Sequence, residues 1–187
     1  MYQGKKISLV IPARNEERLI GPTLEGATET IDRIYVIDDG STDNTAEVVG
    51  KYASIDPRVE LIQHEENRGV GQAIITGYLR SSEDGYDISV VVGGDNQMPL
   101  EQVEDLLDPI IEGKADYTKG NRFLMPDTGL EDMPWTRMFP NAMISAMTKV
   151  ASGYYKIFDV VDGFTAISKR GIDLVDWSKA WKGYGDR

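Results

Sequence analysis

Short apolar runs alternate with longer amphipathic stretches through the first 112 residues, a pattern of strands laid side by side and covered by helices. Ile7 to Ile11 reads as a first strand, and a helical stretch broken by Gly21 and Pro22 is expected from Asn15 onward. Ile34 to Ile37 is a second strand, and after it Ser41, Thr42 and Asp43 offer N-caps to a helix running to about Ala53. Val59 to Ile62 makes a third strand, followed by a helix through Ile74, Ile75, Tyr78 and Leu79. Ile88 to Val92 is the fourth. Pro99 suits the first turn of the next helix, whose apolar face is Val103, Leu106, Leu107, Ile110 and Ile111. The expected order is β-α-β-α-β-α-β-α, an α/β domain with a mostly parallel central sheet flanked by helices.

Beyond Gly113 the pattern is less regular. ADYTKGNRF reads as a strand and its exit loop, and the segment from Met125 to Pro134 as an acidic loop. Arg137 to Val150 is expected to form a helix carrying Met143, Met147 and Val150 on one side, a face that suits a core better than a lipid tail. FDVVDGFTAISKRGIDL then reads as loop, strand and helix. With no repeat and no low-complexity linker, residues 1–187 are read as one domain, more regular over 1–112 than over 113–187.

Composition narrows the partners. The chain of 187 residues has 31 acidic against 20 basic residues and a formal charge of -11, which repels polyphosphate backbones and argues against nucleic-acid binding. There is no cysteine, so neither a disulfide framework nor a thiolate metal site is available. The first apolar run stops at Pro12, too short for a signal peptide, and no stretch of 18 or more apolar residues spans a membrane.

The polar clusters fall at the strand exits: PARNEE after the first, DDGSTD after the second, ENRGVG after the third and GGDNQ after the fourth. In an open parallel sheet, ligands collect at that edge, where loops converge and helix N-termini present free N–H groups. Each loop alone is compatible with a turn or a helix entry. Their shared place carries more weight than any one of them.

Taken in order, VIPARNEE (10–17), VIDDGSTDNT (36–45), ENRGVGQAIITGY (66–78), GGDNQMP (93–99), GNRF (120–123) and DVVDGFTAIS (159–168) give a chain that resembles family 2 glycosyltransferases. The likeness is to those with the A-type, Rossmann-like nucleotide-sugar fold, above all the polyprenyl-phosphate sugar synthases related to dolichol-phosphate mannose synthase. The resemblance implies a UDP- or GDP-sugar donor, a polyprenyl phosphate or glycan acceptor, inversion at the anomeric carbon, and a divalent cation, Mg²⁺ or Mn²⁺. It implies that 1–112 form the nucleotide-sugar-binding half and 113–187 the acceptor half, that Pro12, Ala13, Arg14 and Glu16 lie against the nucleoside, and that Asp38 or Asp39 reads base or ribose. Arg68 and Gly94 approach the nucleotide by the same resemblance.

In this family the fourth strand ends in Asp-x-Asp-x-Gln, which holds the cation. Here Gly93 replaces the first Asp, leaving Asp95 and Gln97 as expected ligands. Two oxygen donors suffice in principle, since such cations commonly take only one or two carboxylates and fill their shell with water and substrate phosphate. Arg122 and Arg137 stand where the family meets donor or acceptor phosphate. Asp159 and Asp162 are the candidates for a general base if the acceptor is a hydroxyl, or for an orienting carboxylate if it is an already ionised phosphate. His64 stands alone in its loop with no partner motif, which suits a structural or solvent-exposed side chain. The resemblance also implies a place in the cytoplasm or against the membrane's cytoplasmic face, and leads us to expect either a truncated sequence or a short member, because the family usually continues past the position of Arg187.

Overall fold

The computed structural model describes residues 1–120, 143, 147, 148 and 163–180. Strands β1 (Ile7–Ala13), β2 (Arg33–Asp38), β3 (Val59–Gln63), β4 (Ile88–Val91), β5 (Tyr117–Lys119) and β6 (Thr165–Ser168) form one sheet in the order β3-β2-β1-β4-β6-β5. The first four are parallel to one another, whereas β6 runs antiparallel to both β4 and β5. Residues that alternate along β1 serve both faces, as a sheet covered on each side requires. Ile7, Leu9, Ile11 and Ala13 pack with α1 (Ile20–Glu25), α2 (Thr45–Ala53) and α4 (Val103–Ile111). Val10, with Tyr35 and Ile37 of β2, packs with α3 (Val70–Glu83) and α5 (Lys169–Leu174). The result is three layers, with the sheet in the middle.

Between β1, β4 and α3 the hydroxyls of Ser8, Ser81 and Ser89 close a triangle with sides of 2.6, 3.0 and 2.7 Å. All three serines are fully buried. Each hydroxyl both gives and takes within the ring, so three polar groups enter the core without an unpaired donor.

The expected strands are found within a residue or two. Three expectations need correction. Asn15 does not begin a helix: its φ of 58° is left-handed, and α1 starts only at Ile20. Nor does a side chain among Ser41, Thr42 and Asp43 occupy the N-cap of α2, which is Asn44 and makes no side-chain capping bond. Asp43 instead accepts from the Thr45 backbone N–H at 3.0 Å, while Ser41 and Thr42 bond across to the loop after β1. Met143 and Met147 lie in helical conformation as expected, yet they are 51% and 64% exposed rather than core-facing. Helical spacing puts two apolar side chains on one face but does not determine which way that face turns.

Candidate functional site at the switch point of the sheet

The chain leaves β1 to build β2 and β3 on one side, then returns to place β4 on the other, so strand order reverses at β1. A crevice opens at such a point beyond the carboxyl ends of the strands. The register sets which residues line it. Ala13 pairs with Asp38 and Asp38 with Gln63, while Val91 lies beside Val10 and Val92 donates to the Val10 carbonyl at 3.2 Å. Pro12, Ala13, Arg14 and Glu16, the two aspartates, and the GGDNQ turn therefore share one edge.

The loops after β1 and β2 are sewn together. Asn15 donates its N–H to Ser41 Oγ at 2.9 Å and its side-chain oxygen accepts from the Thr42 N–H at 2.9 Å. Glu16 N–H reaches Thr45 Oγ1 at 2.8 Å, and Glu17 Oε2 accepts from Asn44. The left-handed turn at Asn15 aims these groups across the gap, and an Asn tolerates it better than most residues because its short polar side chain bonds locally. Arg14 stays exposed at the rim.

Both aspartates are buried, and their partners differ. Asp38 Oδ1 accepts from the Ser41 N–H at 3.1 Å, and Oδ2 from Gln63 Nε2 at 3.2 Å. Asp39 Oδ1 accepts from the Arg68 N–H at 2.9 Å and faces His64 Nδ1 at 2.8 Å, and Oδ2 accepts from the Gly69 N–H at 2.8 Å. Asp39 thus ties the loop after β2 to the one after β3. Gly40 makes room for that closure: its φ is +67°, and a Cβ there would meet Asn67 N and Glu66 C, both at 2.8 Å. The Arg68 side chain is exposed at the same rim.

The fourth exit is held from behind. Buried Thr23 donates to the Gly94 carbonyl at 3.2 Å, and a Cβ at Gly94 would touch Ala13, Ile20 and Glu16 at 3.4 to 3.5 Å. Asn96 is left-handed, with φ 54°, and the Asp95 carboxylate accepts from the Gln97 N–H at 3.3 Å. Asp95 Oδ1 also lies 2.9 Å from where a Cβ on residue 93 would sit. The side chain of Asp95 has thus leaned into space that a larger residue 93 would use. No group of three or more His, Cys, Asp or Glu among the described residues could hold a metal. Asp95 and Gln97 still fit a hard divalent cation as a two-oxygen set, one anionic and one neutral, provided a ligand phosphate and water complete the shell.

Glu16 faces this set. Burial raises its carboxyl above the ordinary range, and the charges of Asp95 and Asp43 push the same way. A carboxyl with a raised folded value contributes stability at low pH that is lost as pH rises through that value. In metal-free protein, Glu16→Gln is therefore expected to raise Tm at about pH 7, with the gain shrinking to nothing toward about pH 4. Thermal melts in EDTA at the two pH values check it. A Tm at neutral pH equal to or below that of the parent would show that Glu16 is not under this electrostatic load.

The later motifs meet the same edge from the other side. Gly120 donates to the Phe164 carbonyl at 2.8 Å, bringing the start of GNRF beside the Gly163-Phe164 pair. Met98 bridges from there to the GGDNQ turn: its sulfur accepts from the Gly93 N–H at 3.3 Å, and its methyl would sit 2.8 Å from a Cβ on Gly163. Arg122, Arg137, Asp159 and Asp162 lie outside the described residues. One residue that its own loop does not single out is His64, which is buried and bonded on both ring nitrogens. Its signal is topological. Once β2 and β3 are paired, the residue after Gln63 must lie beside the one after Asp38.

Residues 8–174 match the family described as Glycosyl transferase family 2. A UDP-N-acetylglucosamine–dolichyl-phosphate N-acetylglucosaminyltransferase of Methanococcus voltae is 32% identical, over 91% of this chain and 72% of its own. A polyprenol monophosphomannose synthase of Mycolicibacterium smegmatis is 28% identical over 94% and 67%, and a dolichol-phosphate mannosyltransferase of Pyrococcus furiosus 29% over 91% and 48%. The chain thus spans between about half and three quarters of these relatives. Among solved structures, glucosyl-3-phosphoglycerate synthase of Mycobacterium tuberculosis, crystallised with Mn²⁺, UDP and glucosyl-3-phosphoglycerate, superposes with a TM-score of 0.67 at 21% identity. That likeness covers 89% of this chain and 58% of the other, and it bears on the fold. No helix among the described residues is long and apolar enough to cross a membrane.

Proposed function

The chain belongs to glycosyl transferase family 2, and from that premise we propose that it moves a sugar from a UDP- or GDP-sugar to a polyprenyl phosphate, with inversion. The observation that carries this reading is the convergence at one switch-point edge of Glu16, the two aspartates, Asp95 and the entry to GNRF. The relatives, whose names are those of polyprenyl-phosphate sugar transferases, support the choice of acceptor.

In this scheme Pro12, Ala13, Arg14 and Glu16 form the wall against the nucleoside. Asp38 is the better reader of base or ribose, because one of its two partners is the exposed Gln63 side chain, which a ligand can displace. Asp39, filled by three protein donors, holds the loops. Gly94 lets the backbone come close to the donor, and Arg68 adds positive charge at the rim. Asp95 and Gln97 would hold Mg²⁺ or Mn²⁺, which when bound neutralises charge on the diphosphate.

An acceptor phosphate oxygen bonds to the anomeric carbon as the bond from that carbon to the diphosphate oxygen breaks, the electron pair leaving with the diphosphate. Arg122 and Arg137 suit the phosphates, since a guanidinium fork grips their oxygens with paired hydrogen bonds. An ionised phosphate needs no base, so Asp159 and Asp162 would orient groups; with a glycan or glycolipid hydroxyl as acceptor, one of them would take the proton. The site also suits work at the cytoplasmic face of a membrane, where a lipid acceptor would be presented.

Calorimetric titration with UDP and with GDP, each with Mn²⁺ and again with EDTA, is the first test. One nucleotide is expected to bind, and more tightly with the metal. Equal binding in EDTA would move charge neutralisation to the arginines, and no binding of either would remove the donor half of the proposal. Transfer to soluble glycans but never to a polyprenyl phosphate would remove the acceptor half.

A further inference from the structure

His64 lies immediately after β3 with its side chain 5% exposed, and both its nitrogens are engaged. Nδ1 faces Asp39 Oδ1 at 2.8 Å and Nε2 faces Thr76 Oγ1, on the second turn of α3, at 3.0 Å. Asp39 already accepts two backbone N–H groups, so an ionised carboxylate there calls for a proton on Nδ1. In the neutral ring Nε2 then accepts the Thr76 hydroxyl proton. The chain of bonds runs from the body of α3, through the imidazole, to the carboxylate that fixes Arg68 and Gly69. Gly69 is the N-cap of α3, with φ 86° and ψ 152°. A carboxylate tied by only two adjacent N–H groups can swing with them. The third bond comes from a residue whose own backbone is fixed at the end of β3, where the His64 N–H donates to the Asp38 carbonyl at 2.9 Å, and it takes that freedom away.

We propose that His64 is a positioning residue of the donor site: through Asp39 it fixes the Arg68-Gly69 turn at the entrance of α3, and so the rim against which the nucleotide diphosphate is held. This rests on the nucleotide-sugar reading above. It assigns His64 no contact with donor or acceptor. Its bond to Asp39 matters for binding, and its bond to Thr76 serves only to anchor the ring.

Two substitutions separate those bonds. The amide nitrogen of Asn stands the same number of bonds from the backbone as Nδ1 and can still donate to Asp39, whereas that of Gln matches Nε2 and reaches Thr76 instead. Wild type, His64→Asn and His64→Gln are titrated with UDP and GDP in Mn²⁺, with a Tm for each. His64→Asn is expected to bind within about threefold of wild type and His64→Gln roughly tenfold more weakly, the factor that about 1.4 kcal/mol represents. Both variants keep one of the two bonds, so a role in stability alone would lower affinity in both, following Tm. Wild-type binding with His64→Gln equally tight, or with His64→Asn as weak as His64→Gln, overturns the proposal while leaving the donor reading intact. Wild type binding neither nucleotide overturns the donor reading, and this inference with it.

Discussion

Asp95→Asn is expected to lower the rate of sugar transfer by roughly 10²- to 10³-fold, the scale on which removing one preorganised electrostatic stabiliser of a departing charge is felt. The fold should survive the change. Asp95 is only partly buried, and its one described hydrogen bond, from the Gln97 N–H, can be accepted equally well by an amide oxygen. What is lost is the negative charge. Where the family has two aspartates this chain has Gly93 and Asp95, so no second carboxylate of that motif remains to share the load. Nucleotide affinity in Mn²⁺ should fall toward its value in EDTA, and the variant's residual affinity should no longer respond to the metal. Steady-state transfer rates with and without Mn²⁺, beside a melting curve, are the measurement. A variant that kept transfer within about threefold of wild type, against the expected loss, would show that Asp95 does not carry the diphosphate charge.

Much of this edge is legible in the sequence. Parallel strands expose their carboxyl ends together, so four polar loops after four apolar runs had to meet, and β1 to β4 fall where the apolar runs do. The details that escaped depend on partners far along the chain. In the sequence Asn15 reads as the start of a helical stretch; its left-handed turn is set by Ser41 and Thr42 in another loop. Asp38 and Asp39 are adjacent and chemically identical, and only the strand pairing gives one to Gln63 and the other to His64. Met143 and Met147 show the same limit from the apolar side, since their spacing defined a face without giving its direction. Local pattern yields elements and edges, and partnership across them comes from topology.

The packing of α3 carries the second large effect, because that helix anchors both His64, through Thr76, and the turn held by Asp39. Gly77 follows Thr76 and lies against the sheet. A Cβ there would sit 2.2 Å from Val10 Cγ1 and 3.0 Å from its Cγ2, with Val10 fully buried in β1. Helix propensity alone favours Ala over Gly by about 1 kcal/mol. Overpacking opposes it by typically 1–3 kcal/mol and occasionally more, and an overlap this deep against a stiff β-branched side chain belongs at the upper end. Gly77→Ala is therefore expected to destabilise by about 2 kcal/mol net, lowering Tm by roughly 4–8 °C for a domain of this size. Val10→Ala alone should also destabilise, by leaving a cavity. The double variant should lose less than the sum, with a coupling of about 1 kcal/mol or more, because each change fills or empties the same space. Melting curves of the three variants give the cycle. A Gly77→Ala protein more stable than wild type would mean that α3 can lift from β1 without loss, and the rigid seating of the Arg68-Gly69 turn at the head of α3 would lose its physical basis.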